Sequence, residues 1–346
     1  MVFGRATHDR REARIHRVGV ALMAAAAMAG FKRACAAHEC ADAIAVVEQE
    51  VACRPNDFQL YYVLGLCHGG GCRTHPLTHP EMAVAYLRQA LRLAGPSDRP
   101  NRAAILDELG NILIRGTSEP RKSALRESLD CHSEAAQLYE SIGKPAHAAR
   151  LHFNVANSFC ELSEITGADH WQEAVLHYQR SLESRTRLAD PERYAATLEN
   201  LGTAYRRLPV TDGSNIKNSI KCYRRAIRVY TAAAYPEKHA SLHNNLGNAF
   251  LSLPGTDAGI VERNARRALR HFDSALRIQS ACGGRDYGIT QYNRAQAYLR
   301  LARSSPAGNL KSAAGCLRKA RAAFQSCGED RYTQLIRAQL ERICPP

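Results

Sequence analysis

Polar and apolar positions recur in a fixed order along this chain. The string Asn-Leu-Gly-x-Ala-aromatic stands at 245–250 as NLGNAF and at 200–205 as NLGTAY, with a weaker form, NVANSF, at 154–159. Taking the small residue of this motif as an anchor gives Gly65, Gly110, Ala156, Gly202, Gly247 and Ala295, spaced 45, 46, 46, 45 and 48 residues apart. A second small anchor follows each one, at Ala90, Ala135, Ser181, Ala226, Ala275 and Ala320, displaced by 25, 25, 25, 24, 28 and 25 residues. Around both anchors apolar residues return at intervals of three and four, as in Leu198, Leu201, Tyr205 and Leu208, or Ile220, Tyr223, Ile227 and Tyr230. That is the α-helical period, so each repeat predicts a pair of helices.

The anchors have a steric reason. Two helices cross closely only where small side chains let the ridges of one enter the grooves of the other, and the spacing predicts that Gly202 touches Ala226. Pro100, Pro145, Pro191 and Pro236 each fall ten residues after a second anchor. Proline is tolerated in a first helical turn and stops a preceding helix, so these positions mark where one hairpin ends and the next begins. Turn-rich strings such as GTSEP, ITGAD, PVTDGSN, LPGTDAG and SSPAGN connect the two helices within a hairpin.

The pattern divides the chain into seven hairpins, at about 18–55, 56–99, 100–144, 145–190, 191–235, 236–284 and 285–328. A basic tail over 1–17 is expected to be disordered. Residues 329–346 hold one more helix, with Tyr332, Leu335, Ile336, Leu340 and Ile343 on one side, suited to cap an open end. A helical repeat of this kind replaces the two ordinary domains that 346 residues would otherwise suggest.

These residues resemble the tetratricopeptide repeat (TPR) family. From Ala43 through Pro55 to Tyr61, Leu64 and Gly65 the spacing matches its ordinary unit. The later repeats, best seen from Asn215 to Phe250, are similar to the lengthened units of kinesin light chains and of the TPR regions beside CHAT proteases. The resemblance implies an all-α, right-handed superhelical solenoid whose first helices line a concave groove. It also implies a protein or peptide partner.

The asparagines give that groove candidate chemistry. Asn154, Asn200, Asn245 and Asn293 stand two residues before the anchor, while Asn111, Asn157 and Asn248 stand one after it, where the other repeats carry Thr203 and Gln296. At about 100° per residue both positions point away from the face packed on the partner helix. Extended by one turn each way, the stripe adds Arg150 and Glu161 around Ala156, Ser241 and Ser252 around Gly247, and Arg115, Arg207 and Arg300 in the other repeats. Asparagine costs about 0.6 kcal/mol against alanine inside a helix, so four copies at one position call for a compensating interaction. An amide presents both a donor and an acceptor, matching a peptide backbone, and a ladder of amides could hold an extended segment whatever its sequence. The alternative is that these amides bond to the neighbouring hairpin. The chaperone-tail clamp of some tetratricopeptide domains pairs such asparagines with lysines, whereas the corresponding places here offer Phe153, Glu199, Asn244 and Ala196.

Charge and composition widen the choice of partner without fixing it. Lys and Arg outnumber Asp and Glu by 47 to 33, giving a net charge of +14 that favours acidic partners. Arg126, Lys217, Arg266 and Lys311, with Lys221, Arg270, Arg228 and Arg277, recur in register on the second helices. They could form a ridge for phosphates, but no aromatic residues interleave with them to stack bases, so nucleic acid is the less favoured partner. A solvated helix face also explains them. The twelve cysteines are scattered singly, as in a reduced, cytoplasmic protein. Cys67, Cys72, His75 and His79 have spacings seen in zinc sites, but their two-residue central gap is too short for a zinc finger, and a loop with incidental His and Cys is the preferred reading.

The longest apolar run, Val18 to Phe31, is fourteen residues, too short for the roughly 20 that span a bilayer. It follows an arginine-rich start like a secretory signal, yet the amphipathic segment after it needs a helical partner, and a buried helix is the reading adopted. No phosphate-binding glycine loop, G-x-S-x-G or H-E-x-x-H is present in the sequence. The resemblance places the His and Cys of CHAT proteases in a separate domain. The expectation is therefore a non-enzymatic scaffold or adaptor without cofactor or metal. A regulatory subunit for a separately encoded CHAT-like protease is a further alternative.

Overall fold

A computed structural model describes residues 40–71, 79–116, 120–209, 212–255, 257–280, 283–303 and 305–343. Among them lie fourteen α-helices and no strand. In chain order these are α1 (Cys40–Cys53), α2 (Phe58–Leu66), α3 (Pro80–Leu93), α4 (Arg99–Arg115), α5 (Arg121–Ser141), α6 (Pro145–Thr166) and α7 (Trp171–Ser184). They continue with α8 (Pro191–Arg207), α9 (Ser214–Ala226), α10 (Pro236–Ser252), α11 (Ala258–Gln279), α12 (Gly284–Leu301), α13 (Pro306–Ser326) and α14 (Asp330–Ile343). The chain forms two compact units, 1–170 and 171–346. The segment read as the hairpin 145–190 is divided between them, α6 in the first and α7 in the second. The predicted tail over 1–17, the apolar run and the first helix of the first hairpin lie outside the described residues.

Helix starts follow the proline spacing. Pro100, Pro145, Pro191 and Pro236 occupy the first or second position of α4, α6, α8 and α10. There the missing amide would have had no partner in the helix anyway. Asp98 and Asp190 cap α4 and α8 by accepting from the amides of Asn101 and Arg193. At the other end of α6, Gly167 takes a left-handed conformation at φ 70°, which a side chain would disfavour.

Within each unit consecutive helices pack on one another, and the glycine anchors lie where they come very close. A Cβ on Gly65 would come 2.6 Å from Leu87, on Gly110 2.6 Å from His132, on Gly202 2.7 Å from Tyr223, and on Gly247 2.6 Å from Cζ of Phe272. The side chain nearest Gly202 is thus the Tyr223 ring rather than Ala226. The residue three before the second anchor (Leu87, His132, Tyr178, Tyr223, Phe272 or Leu317) is fully or almost fully buried. A bulky side chain fills the space left by a missing one, while the alanines at the second anchor are buried in their own right.

The core of the first unit runs continuously through α2 to α6, from Tyr62 and Leu87 through Ile105, Leu109 and Ile112 to Tyr139 and Leu151. At the end of the second unit, Ala295, Leu317, Phe324 and Ile336 bring α12, α13 and α14 together. Helix α14 is seated by Ile336 and by the Tyr332 ring stacked on Phe324 at 4.9 Å. Leu335, expected on its packed side, is half exposed instead. No helix among the described residues is long and apolar enough to cross a membrane.

Candidate functional site

In the second unit the first helices α8, α10 and α12 lie side by side. Between their C-terminal halves opens a cleft of about 470 Å³, lined by Arg206 of α8, by Asn248, Leu251 and Ser252 of α10, and by Asn293, Gln296, Leu299, Arg300 and Arg303 of α12 and the turn after it. Three of the sequence-predicted residues, Asn248, Asn293 and Gln296, therefore share one polar depression. Thr203 lies on the same helix as Arg206 but is occupied, its hydroxyl donating to the Glu199 carbonyl and lying 3.0 Å from the Tyr223 hydroxyl.

The asparagines divide into two groups. Asn154, Asn245 and Asn248 are half-buried, and their side-chain amides make no hydrogen bond among the described residues. Asn293 instead donates to the Asn244 side chain on the preceding first helix at 3.0 Å, and Gln296 donates weakly to Gln339 of α14 at 3.4 Å. Asn111 donates to Asp107 one turn back in its own helix at 3.0 Å. Asn157 and Asn200 are half-buried and engaged. Bonding to the neighbouring hairpin thus accounts for Asn293, while the amides of Asn154, Asn245 and Asn248 have no hydrogen-bond partner among the described residues.

Arg150 has a structural partner. Its guanidinium forms a two-pronged ion pair with Asp107, a fully buried carboxylate on α4 one repeat earlier. Arg207 is exposed and lies over the Trp171 ring, 5.5 Å from its centroid. The chain repeats the Asp107 arrangement in its second unit. Glu199, also three residues before an anchor, accepts from Ser241 of the next first helix at 3.4 Å and lies 3.8 Å from Lys238. Burial pushes the Glu199 carboxyl above its ordinary range, and Lys238 and Ser241 pull it back. These carboxylates tie successive first helices together. A single-chain helical wheel does not reveal them, because their partners lie 43 and 42 residues away in sequence.

The arginines of the cleft are different. Arg206 and Arg303 make no ion pair and no side-chain hydrogen bond among the described residues, and the Arg206 Nε is buried without an acceptor. Arg300 donates to the Leu251 carbonyl at the end of α10. Desolvation and, after it, repulsion from Arg303 lower the Arg300 pKa. The sequence reading had singled out Arg207 and Arg300 on this stripe. Arg206, one residue earlier, and Arg303 came into view only with the turn of each helix fixed.

Elsewhere, Arg126, Lys217, Lys221, Arg266, Arg270, Arg277 and Lys311 are exposed on second helices, while Arg228 is exposed in the turn just past the end of α9. Of the four residues weighed as zinc ligands, Cys72 and His75 lie outside the described residues. Cys67 is buried in the apolar cluster around Leu60 and Leu64, and the His79 ring lies edge-on to His68 at 5.8 Å. His243 and His271, on α10 and α11, bring their Nδ1 atoms to 3.0 Å, and burial with nearby cations lowers both to a pKa of about 4.

No family model matches the chain, and no curated protein matches it. Solved structures do. The C-terminal part of a TPR repeat-containing protein from Cytophaga hutchinsonii is similar with a TM-score of 0.56 at 10% identity, over 85% of this chain and 93% of that one. The apo form of RapI is similar with a TM-score of 0.50 at 14% identity, over 83% of this chain and 98% of the other. At such identities the likeness concerns backbone architecture, and it agrees with the anchor spacing and the helical pairs. The chain has a tetratricopeptide-type helical-repeat fold.

Proposed function

We propose that this protein is a non-enzymatic scaffold that binds an extended segment of a partner protein along its first-helix face. One observation carries the reading: the cleft between α8, α10 and α12 is polar, and half-buried amides at Asn245 and Asn248, on the helix at its centre, have no hydrogen-bond partner among the described residues. An open amide on a rigid helix can bond to a peptide backbone with its orientation already fixed, which reduces the entropy cost of binding. In the second unit the fold sets three first helices side by side, at a repeat-to-repeat spacing that suits an extended chain.

The Asn245→Ala, Asn248→Ala double variant tests this. Neither amide makes a side-chain hydrogen bond among the described residues, and alanine favours the helix by about 0.6 kcal/mol at each position, so the melting temperature should hold or rise slightly. Affinity for a purified partner segment should fall about tenfold or more, the loss expected for two hydrogen bonds. Unchanged affinity would refute the role of these amides, and lost helicity would make them structural.

A further inference from the structure

The cleft on the second unit holds three arginines and no carboxylate. Arg206 comes from α8, while Arg300 and Arg303 come from the end of α12 and the turn beyond it, so residues about two repeats apart in sequence meet around one space of about 470 Å³. Elsewhere the chain pairs many of its arginines with acids: Arg88 with Glu127, Arg102 with Glu134, Arg115 with Glu108, Arg121 with Glu161 and Arg150 with Asp107. The cleft departs from that habit. An arginine in a last helical turn can be accounted for by the carbonyls at the helix end, and Arg300 does meet the Leu251 carbonyl. That leaves the buried Nε of Arg206, which has no acceptor among the described residues, and Arg303, which lines the same cleft as Arg300 with no acid among the lining residues. A buried donor without a partner is costly, and an anion among several guanidinium groups in one cleft would offset that cost and their mutual repulsion.

We propose that this cleft is an oxyanion site that receives a carboxylate or phosphoryl group carried by the bound peptide segment. The chemistry of the lining fits. Guanidinium groups bind planar and tetrahedral oxyanions through paired N–H donors, and the amides of Asn248, Asn293 and Gln296 with the Ser252 hydroxyl offer neutral donors beside them. Leu251 and Leu299 supply apolar wall, which excludes water and strengthens the charge-assisted bonds. The net charge of +14 would steer an acidic segment toward the protein in a salt-dependent way. The peptide part of the proposal rests on the scaffold reading above, whereas the oxyanion site itself does not.

The experiment follows the arginine Nε–H resonances of the full chain by NMR while inorganic phosphate is added, then repeats the titration with blocked pentapeptides whose central residue is serine, glutamate or phosphoserine. The expected result is a saturable shift of the Arg206 Nε–H with phosphate, assigned through the Arg206→Lys variant, and weakened about tenfold in Arg303→Gln. Arg303 is exposed and bonded to nothing else among the described residues, so that variant should fold normally. Arg266→Gln, on the outer side of α11, should leave the response unchanged. Whichever acidic peptide binds more tightly identifies the group, and both should bind better than the serine peptide. If phosphate binds while no peptide does, the oxyanion site stands and the scaffold reading fails. If all three peptides bind equally and Arg303→Gln changes nothing, the scaffold reading stands and the oxyanion site is refuted. No response to phosphate at Arg206 likewise overturns it.

Discussion

A methyl group added at Gly247 and the same methyl added at Gly315 should change stability in opposite directions. Both glycines lie inside helices of the second unit, so in both cases alanine gains helix propensity of about 0.5–1 kcal/mol. At Gly315 of α13 the new Cβ meets nothing within 4 Å, so the gain stands alone. At Gly247 of α10 it would lie 2.6 Å from Cζ and 2.7 Å from Cδ1 of the Phe272 ring, closer than real contacts allow. Phe272 is fully buried, and a ring packed on all sides moves only by displacing its neighbours. Overpacking of this kind costs about 1–3 kcal/mol, which outweighs the propensity gain. The net expectation is a loss of about 1–2 kcal/mol for Gly247→Ala against a gain of up to about 1 kcal/mol for Gly315→Ala. Urea unfolding followed by fluorescence of Trp171, the one tryptophan of the chain and part of the same unit, reads both variants with one probe. Trimming the ring with Phe272→Leu in the Gly247→Ala background should cost less than it does in the parent, because the two sites couple directly. If Gly247→Ala stabilises as much as Gly315→Ala, close contact at the anchors does not hold the hairpins together.

Further predictions concern buried charge. With both imidazoles neutral, one Nδ1–H of the His243 and His271 pair can donate to the other's lone pair; a protonated pair would set N–H against N–H. Their folded pKa values, lowered to about 4 by burial first and then by His239, Arg277, Arg224 and Arg270, lie below the unfolded value near 6.5. The stabilisation they contribute is therefore complete above about pH 6.5 and lost as the pH falls toward 4. Both are partly exposed and coupled, so screening reduces the full linkage energy to on the order of 1–2 kcal/mol for the pair. Urea midpoints measured from about pH 7.5 to about pH 4.5 should drop, and His271→Gln should flatten that drop; an equal slope in both proteins would rule the pair out as the cause. In the first unit, Arg150→Ala removes the cation paired with the buried Asp107 carboxylate, which keeps its bond from Asn111, and should cost about 2–3 kcal/mol, part of which Asp107→Asn restores in the double variant. Circular dichroism during denaturation measures both, and unchanged stability in Arg150→Ala would return that arginine to the list of ligand contacts.

The repeat was legible in the sequence because it rests on size: only Gly and Ala occupy five of the six second anchors and all six first anchors, and no other force requires that spacing. Prolines announced the helix starts for an equally local reason, the fixed φ and the missing donor. Legibility ended where partners belong to different repeats. A helical period treats Tyr223 and Ile220 as equivalent apolar positions, so it could not say which of them fills the hollow at Gly202. Nothing local in the sequence marks Asp107 or Glu199 as a tie between repeats, because their partners Arg150 and Ser241 belong to the next first helix. The amide stripe was read as uniform, yet Asn293 turns to Asn244 while Asn248 opens into the cleft. Arg206 was passed over for Arg207 because a shift of one residue turns a helical side chain by about 100°.

Photocrosslinking tests most directly whether the first-helix face is where the partner sits. A benzophenone side chain placed at Ser252, in the cleft, and separately at Arg266, on the exposed side of α11, reports which surface lies within reach of a purified bound segment. Crosslinks from the position of Ser252, competed by an excess of unlabelled segment, are the result this account predicts. Crosslinks from the position of Arg266 with none from the cleft would place the partner on the second helices and contradict it.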